Sequence, residues 1–418
     1  MQTRARFSRL LPTVLLALLL ASPAARADDK VLHLAIGDPA RKDREAPLVL
    51  DGITDTSRGD VITPAALVDR LAGTRLLLIG EEHTNADCHA VEYRVLEALA
   101  RSGRHVLIGL EMYPYTEQRA LDQWRDGLLT EEGFLLLSRW YENWGYHWLY
   151  YRDIFLLARD QRIPMFAVNT PREVVSAVRK KGLANLTPEE AAHIPKDIDV
   201  DNADHMTFFK TAFEGASGPV HSADMSEPMW RNMLSAQATW DATMGYNAVQ
   251  ALKQVNDPKA IMVVLVGSGH VAYGLGIERQ ARKWFDGTIT TIIPVTIGNA
   301  ERGFVKTTRA SYANFIWGLP EEIDSAYPML GTSTAVGQGD TERRVILVQP
   351  GSPADKAGFK IGDVIVSIDG VALADREAFN RLMAGKRWGD TATFVVRRDA
   401  GTVTLVATFR RTAPAGAR

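Results

Sequence analysis

The sequence predicts an α/β fold, a mostly parallel sheet covered by helices, followed by a small β-rich C-terminal domain. Three observations carry this. Short, continuously apolar runs (Arg75–Ile79, His105–Leu110, Pro164–Val168 and Ala260–Val266) alternate with segments of helical spacing. Runs of that kind are strands buried on both faces, as parallel sheets require. Each run then stops at glycine or at polar residues, as strands that end at a site do. Beyond Pro320 the pattern changes to short strands between Gly-rich turns. The bulk composition agrees. The chain has 418 residues, 46% hydrophobic and 23% charged, which is globular and not disordered. With 48 basic and 50 acidic residues the net charge is -2, so no electrostatic footprint for nucleic acid is present. The lone cysteine, Cys88, excludes an intrachain disulfide and a Cys-rich zinc module.

In chain order, Arg4, Arg6 and Arg9 precede the apolar stretch Leu10–Ala21 and the small-residue site Ala25-Arg26-Ala27. This is the three-part secretory signal, so residues 1–27 are expected to be removed before Asp28, leaving a periplasmic or secreted protein. No later apolar run reaches the ~18 residues of a membrane span. Residues 28–320 form the α/β domain. The spacing predicts helices over Ala86–Ala100, Gln118–Trp124, Gly133–Trp144, Arg152–Asp160 and Glu227–Val255, and a helix start at Pro188. Lys196–Ser226 is rich in Asp, Gly and Ser and reads as an irregular excursion over the site. The chain reads as irregular after Thr296, and Phe315–Pro320 closes the domain. Residues 321–326 are a linker, 327–412 the second domain and 413–418 a tail.

The chemistry is expected at the strand ends. The first run leads to Gly80-Glu81-Glu82-His83 and the last to Gly267-Ser268-Gly269-His270, one Gly-x-x-His grammar used twice. The other two lead to Glu111 and to Asn169-Thr170-Pro171-Arg172. If these strands are neighbours, their ends share one crevice. His83, His270 and Glu111, with His89 six residues beyond His83, form a competent set for Zn, Mn or Fe. Glu81, left uncoordinated, would serve as a general base. Asn169 and Arg172 would orient ligands, Arg172 by bidentate pairing with a carboxylate or phosphate. Gln237 and Asp241, polar and one helical turn apart, would support the histidines from behind. Met225, Met229 and Met233, with His221, raise a softer ligand stripe that also suits simple core filling.

These same motifs, with Tyr113 after Glu111 and the Gln237-x-x-Trp240-Asp241 stretch, resemble the ChaN-like family over about Leu48 to Pro320. That family groups with the wider Tiki and erythromycin-esterase-like superfamily, whose enzymatic branches use paired Gly-x-x-His motifs for metal or acid–base chemistry. The resemblance implies haem binding, tyrosine ligation of the iron, a role in iron acquisition and a haem-linked homodimer. No cysteine stands near the cleavage site, which departs from the lipoprotein members. Trp140, Tyr141, Trp144, Tyr146, His147, Trp148, Tyr150 and Tyr151 crowd one stretch that suits either a haem wall or a packing cluster. Tyr150 and Tyr151 are the candidate iron ligands.

Downstream, Val348-x-Pro350-Gly351-Ser352-Pro353-Ala354 and Gly362-Asp363-Val364-Ile365 are similar to PDZ domains of bacterial envelope proteases. Met329-Leu330-Gly331-Thr332 resembles their carboxylate-binding loop, which implies capture of a protein C-terminus. The sequence thus favours an exported haem-binding protein of iron acquisition with a PDZ module. A metal-dependent, peptidase-like hydrolase and a non-catalytic envelope adaptor stand as alternatives.

Overall fold

The computed structural model describes residues 29–217, 225–299, 303–336, 342–399 and 401–412. The expected signal segment at 1–27, His221, the Gly-rich patch at 337–341 and the tail at 413–418 lie outside the described residues. Two compact units are present. One comprises Ala25–Ser138 with Tyr151–Glu322, the other Arg139–Tyr150 with Ile323–Arg418.

The first unit is built on six parallel strands in the spatial order Phe315–Pro320, Ile289–Asn299, Leu76–Glu81, Ala260–Gly267, His105–Pro114 and Met165–Asn169. Short antiparallel strands, Ile53–Asp55 and Asp60–Ile62, extend one edge. The apolar runs at 76–79 and 260–266 are fully buried, as strands covered on both faces must be. The register aligns Glu81 with Gly267. Between Leu110 and Pro114 the register against the Met165–Asn169 strand shifts, and this irregularity falls beside Glu111. The four strands expected to share a crevice are therefore consecutive neighbours.

Several helices match their spacing, among them Ala86–Arg101, Gln118–Arg125, Arg152–Asp160 and the 29-residue Glu227–Val255. The Asn85 side chain caps the first of these by accepting from the Asp87 and Cys88 amides. Three expectations are corrected. The helix expected over Gly133–Trp144 is two short helices, Glu131–Leu137 and Trp140–Asn143, broken where Arg139 adopts a left-handed conformation at φ 49°. The excursion Lys196–Ser226 contains a helix, Ala203–Ser217, whose Phe208, Phe209 and Phe213 are buried. Its polar flanks masked that short apolar face. The stretch after Thr296 is not irregular: the Ile289 strand runs on to Asn299, and Phe315–Pro320 is a further strand of the sheet.

The second unit carries an antiparallel sheet in the order Thr332–Val336, Arg343–Val348, Val364–Ile368, Thr391–Arg398, Gly401–Thr408. Its core gathers Leu330, Val345, Phe359, Ile365, Ile368, Phe394, Val396 and Phe409. Thr332–Val336 is an edge strand. The aromatic segment up to Tyr150 belongs to this unit. The His147 ring stacks on Tyr327 at 3.7 Å, and Tyr150 meets Tyr327 edge-on at 4.9 Å. Asn380 donates to the Tyr141 carbonyl at 2.8 Å, and His147 Nε2 lies 2.9 Å from the Ala384 carbonyl.

Close approach explains one glycine. A Cβ on Gly80 would sit 2.9 Å from the Ser268 Cα, so the two Gly-x-x-His turns touch only because residue 80 has no side chain. Gly80→Ala is expected to destabilise the protein by about 1–3 kcal/mol, read as a lowered denaturation midpoint. An unchanged midpoint would mean the turns separate without cost.

Candidate functional site

The carboxyl ends of the strands hold two adjoining clusters of buried ionisable groups. In the first, Glu81 closes its strand with its side chain fully enclosed. Its Oε1 accepts from His83 Nδ1 at 2.6 Å and from the Tyr151 hydroxyl at 2.7 Å. Its Oε2 lies 3.1 Å from His89 Nδ1. The same nitrogen lies 2.9 Å from Glu92 Oε2, and His89 Nε2 lies 3.2 Å from the His83 carbonyl. His89 and Glu92 are one turn apart on the Ala86–Arg101 helix, so they share its inner face. Glu81, His89 and Glu92 each offer a ligand atom within 4.8 Å of the others.

In the second cluster, His270 Nδ1 lies 2.6 Å from Asp241 Oδ1 and 2.9 Å from the Gln237 amide nitrogen. Its Nε2 lies 3.3 Å from Glu111 Oε1, and Glu111 Oε2 accepts the Gly267 N–H at 2.7 Å. Asn169 donates to the Glu111 carbonyl at 2.8 Å and so fixes the backbone there. A Cβ on Gly267 would lie 3.0 Å from His83 Cε1, which places the two clusters side by side.

The electrostatics follow from burial opposed by pairing. Burial alone would deprotonate His89, but the charges and hydrogen bonds of Glu81 and Glu92 push its pKa up to about 10. Burial likewise opposes protonation of His270, and Glu111 with Asp241 raises its pKa to about 10. Glu81 and Glu111 stay below their ordinary range, because the facing histidines outweigh desolvation. Glu92 goes the other way, raised by burial and then by the charge of Glu81. Burial also pushes the Cys88 thiol up, so that it is a weak nucleophile.

Of the residues singled out from the sequence, the structure brings together Glu81, His83, His89, Glu111, Asn169, Gln237, Asp241 and His270. Arg172 is instead exposed at the head of the Arg172–Lys181 helix. Tyr151 is enclosed against Glu81, whereas Tyr150 lies in the other unit. Met225 and Met233 are buried, and the Glu227–Val255 helix begins only after Met225, so the three methionines do not share one helix face. Met329–Thr332 leads into the edge strand, with Leu330 buried and its carbonyl accepting from Ala354.

Two features went unread in the sequence. Glu92 was legible as His89-x-x-Glu92 on an otherwise apolar helix face. The Tyr115–His193 pair, with Oη 2.7 Å from Nδ1, joins residues 78 positions apart and carries no sequence signal.

A raised histidine pKa stabilises the fold fully below the ordinary value of 6.5, and that contribution is lost as pH rises through about 10. Stability is therefore expected to fall across this window. In Asp241→Asn the His270 titration moves down and the slope flattens, as read by NMR titration and urea unfolding at several pH values. An unchanged His270 titration would count against the Asp241 pairing.

Residues 67–280 match the family of haem-binding uptake proteins of the Tiki superfamily, ChaN, and residues 328–408 match the PDZ domain. Protein RETICULATA-RELATED 5, chloroplastic, of Arabidopsis thaliana is 25% identical over 265 residues, covering 60% of this chain and 34% of its own length. The chain thus spans about a third of that relative. A solved structure described as cofacial heme binding to ChaN of Campylobacter jejuni is 16% identical, with a TM-score of 0.48, covering 63% of this chain and 95% of that one. The HtrA-type protease AlgW with decapeptide is 25% identical over 21% of this chain and 30% of that one, with a TM-score of 0.19. With its match extending over more than half of the sequence, the chain belongs to the ChaN family of haem-binding uptake proteins in the Tiki superfamily, joined to a C-terminal PDZ domain.

Proposed function

We propose that this is an exported haem-binding protein of iron acquisition whose PDZ domain recruits a partner through a peptide C-terminus. The family match over residues 67–280 carries the reading. Haem needs a tyrosine or histidine that its iron can reach. Tyr115 meets that requirement at the carboxyl end of the His105–Pro114 strand. It is half-buried, and its hydroxyl lies 2.7 Å from His193 Nδ1. Burial raises its pKa, so the phenol holds its proton until a base takes it. Were Tyr115 to hold haem iron, His193 Nδ1, 2.7 Å away, would take the phenol proton. Haem itself supplies a ferric centre. Tyr151 is the weaker ligand of the tyrosines, because its hydroxyl already donates to Glu81 inside the core. The reading extends to a homodimer closed around haem, and to a location in the periplasm or outside the cell.

For the second unit, the support is the open edge of Thr332–Val336 beside the Met329–Thr332 loop, the arrangement to which a peptide adds a strand. Gly331 takes φ +79°, and a Cβ there would lie 2.2 Å from the Ser352 Cβ, so the loop is built for glycine.

The test is a titration of residues 28–418 with hemin, followed at the Soret band. Saturation near one haem per chain is expected. Tyr115→Phe is expected to shift the band and weaken binding about tenfold or more, while Tyr150→Phe and Tyr151→Phe leave the band in place. An unsaturable titration would sink the haem reading. A Tyr115→Phe spectrum like the parent would move the ligand elsewhere.

A further inference from the structure

We propose that Glu81, His89 and Glu92 form a site for one first-row divalent cation, a non-haem centre separate from the Tyr115–His193 pair. The three side chains are fully enclosed, and their ligand atoms lie within 4.8 Å of one another. Two carboxylates and one imidazole nitrogen are the donor set that Zn, Mn and Fe(II) accept.

Three observations separate this arrangement from a plain buried ion pair. His89 Nε2 faces the backbone carbonyl of His83 at 3.2 Å. The carbonyl holds the proton on that nitrogen, so Nδ1, which faces both carboxylates, is the nitrogen at which a metal would replace a proton, the orientation that metal-bound histidines use. Second, Glu81 Oε1 is occupied by His83 and Tyr151, which turns Oε2 towards His89 Nδ1. That buried Oε2 meets only His89 Nδ1, at 3.1 Å, and the buried Glu92 Oε1 has no hydrogen-bond partner among the described residues. Third, one proton on Nδ1 can point to one carboxylate only, yet carboxylate oxygens stand at 2.9 and 3.1 Å from that nitrogen. A divalent cation serves both, in place of the protons that otherwise lie between these groups.

The Gly-x-x-His pair is not this site. His270 is held by Asp241, Gln237 and Glu111 in the second cluster, and His83 acts here through its contact with Glu81. His83 and Tyr151 are positioning residues.

Enclosure implies that the cation enters as the chain folds. The full mature chain is therefore produced with added Mn2+ or Zn2+, dialysed against chelator and assayed for metal. About one ion per chain is expected to remain. Glu92→Gln and His89→Gln are expected to retain less than a tenth of that, and Tyr115→Phe all of it. The Soret titration of Glu92→Gln is expected to match the parent, so failure of this site and failure of haem binding are read separately. A metal-free parent, or a Glu92→Gln protein that retains the full ion, overturns the proposal. Should the variants not fold, X-ray absorption of the Zn-loaded parent decides. A nitrogen and oxygen shell with one imidazole supports the site, and two or more imidazoles or any sulfur overturns it.

Discussion

A carboxylate is enclosed at the end of the Leu76–Glu81 strand, and the surrounding structure is arranged to satisfy it. Removing an unpaired anion from water is costly, so Glu81 can be buried only where donors converge on it. They come from separate parts of the chain. His83 arrives from the turn that follows, His89 from the next helix and Tyr151 from the start of the Arg152–Asp160 helix. The Asn85 cap starts the first helix immediately after the turn, which keeps His89 in reach. Oε1 is held twice, by His83 and Tyr151, whereas Oε2 depends on His89 alone.

The same solution is used again one strand away. Glu111 faces His270, and the Glu227–Val255 helix presents Asp241 and Gln237 behind it. The two clusters fit beside each other because glycine occupies the close approaches at Gly80 and Gly267. The recurring glycine of the Gly-x-x-His turns is therefore a requirement of space between neighbouring strands. A side chain at either position would push one cluster away from the other.

The second unit works by different physics. It offers an open sheet edge and a short loop ahead of it, with a core that closes on Phe359 and Phe394. It also holds the aromatic segment 139–150, which comes from within the span of the first domain. His147 stacks on Tyr327 and is held neutral by burial, with a pKa lowered to about 4. The aromatic residues are thereby divided. Tyr150 packs in this unit, while Tyr151, the next residue, donates to the carboxylate of the other.

The sequence by itself determined the strands, the main helices and most of the buried cluster. Apolar runs that end in Gly-Glu-Glu-His or Gly-Ser-Gly-His carry that information locally, in one segment of chain each. Tertiary structure alone decided what depends on partners distant in sequence. It paired Tyr151 with Glu81, set Tyr115 against His193, and assigned the aromatic segment to the C-terminal unit. It also turned Phe208, Phe209 and Phe213 into a helix face, because only a core to bury them makes that face visible. Glu92 stands between the two. Its spacing from His89 is written in the sequence, but its burial beside Glu81, and so its chemistry, exists only once the helix lies against the strand.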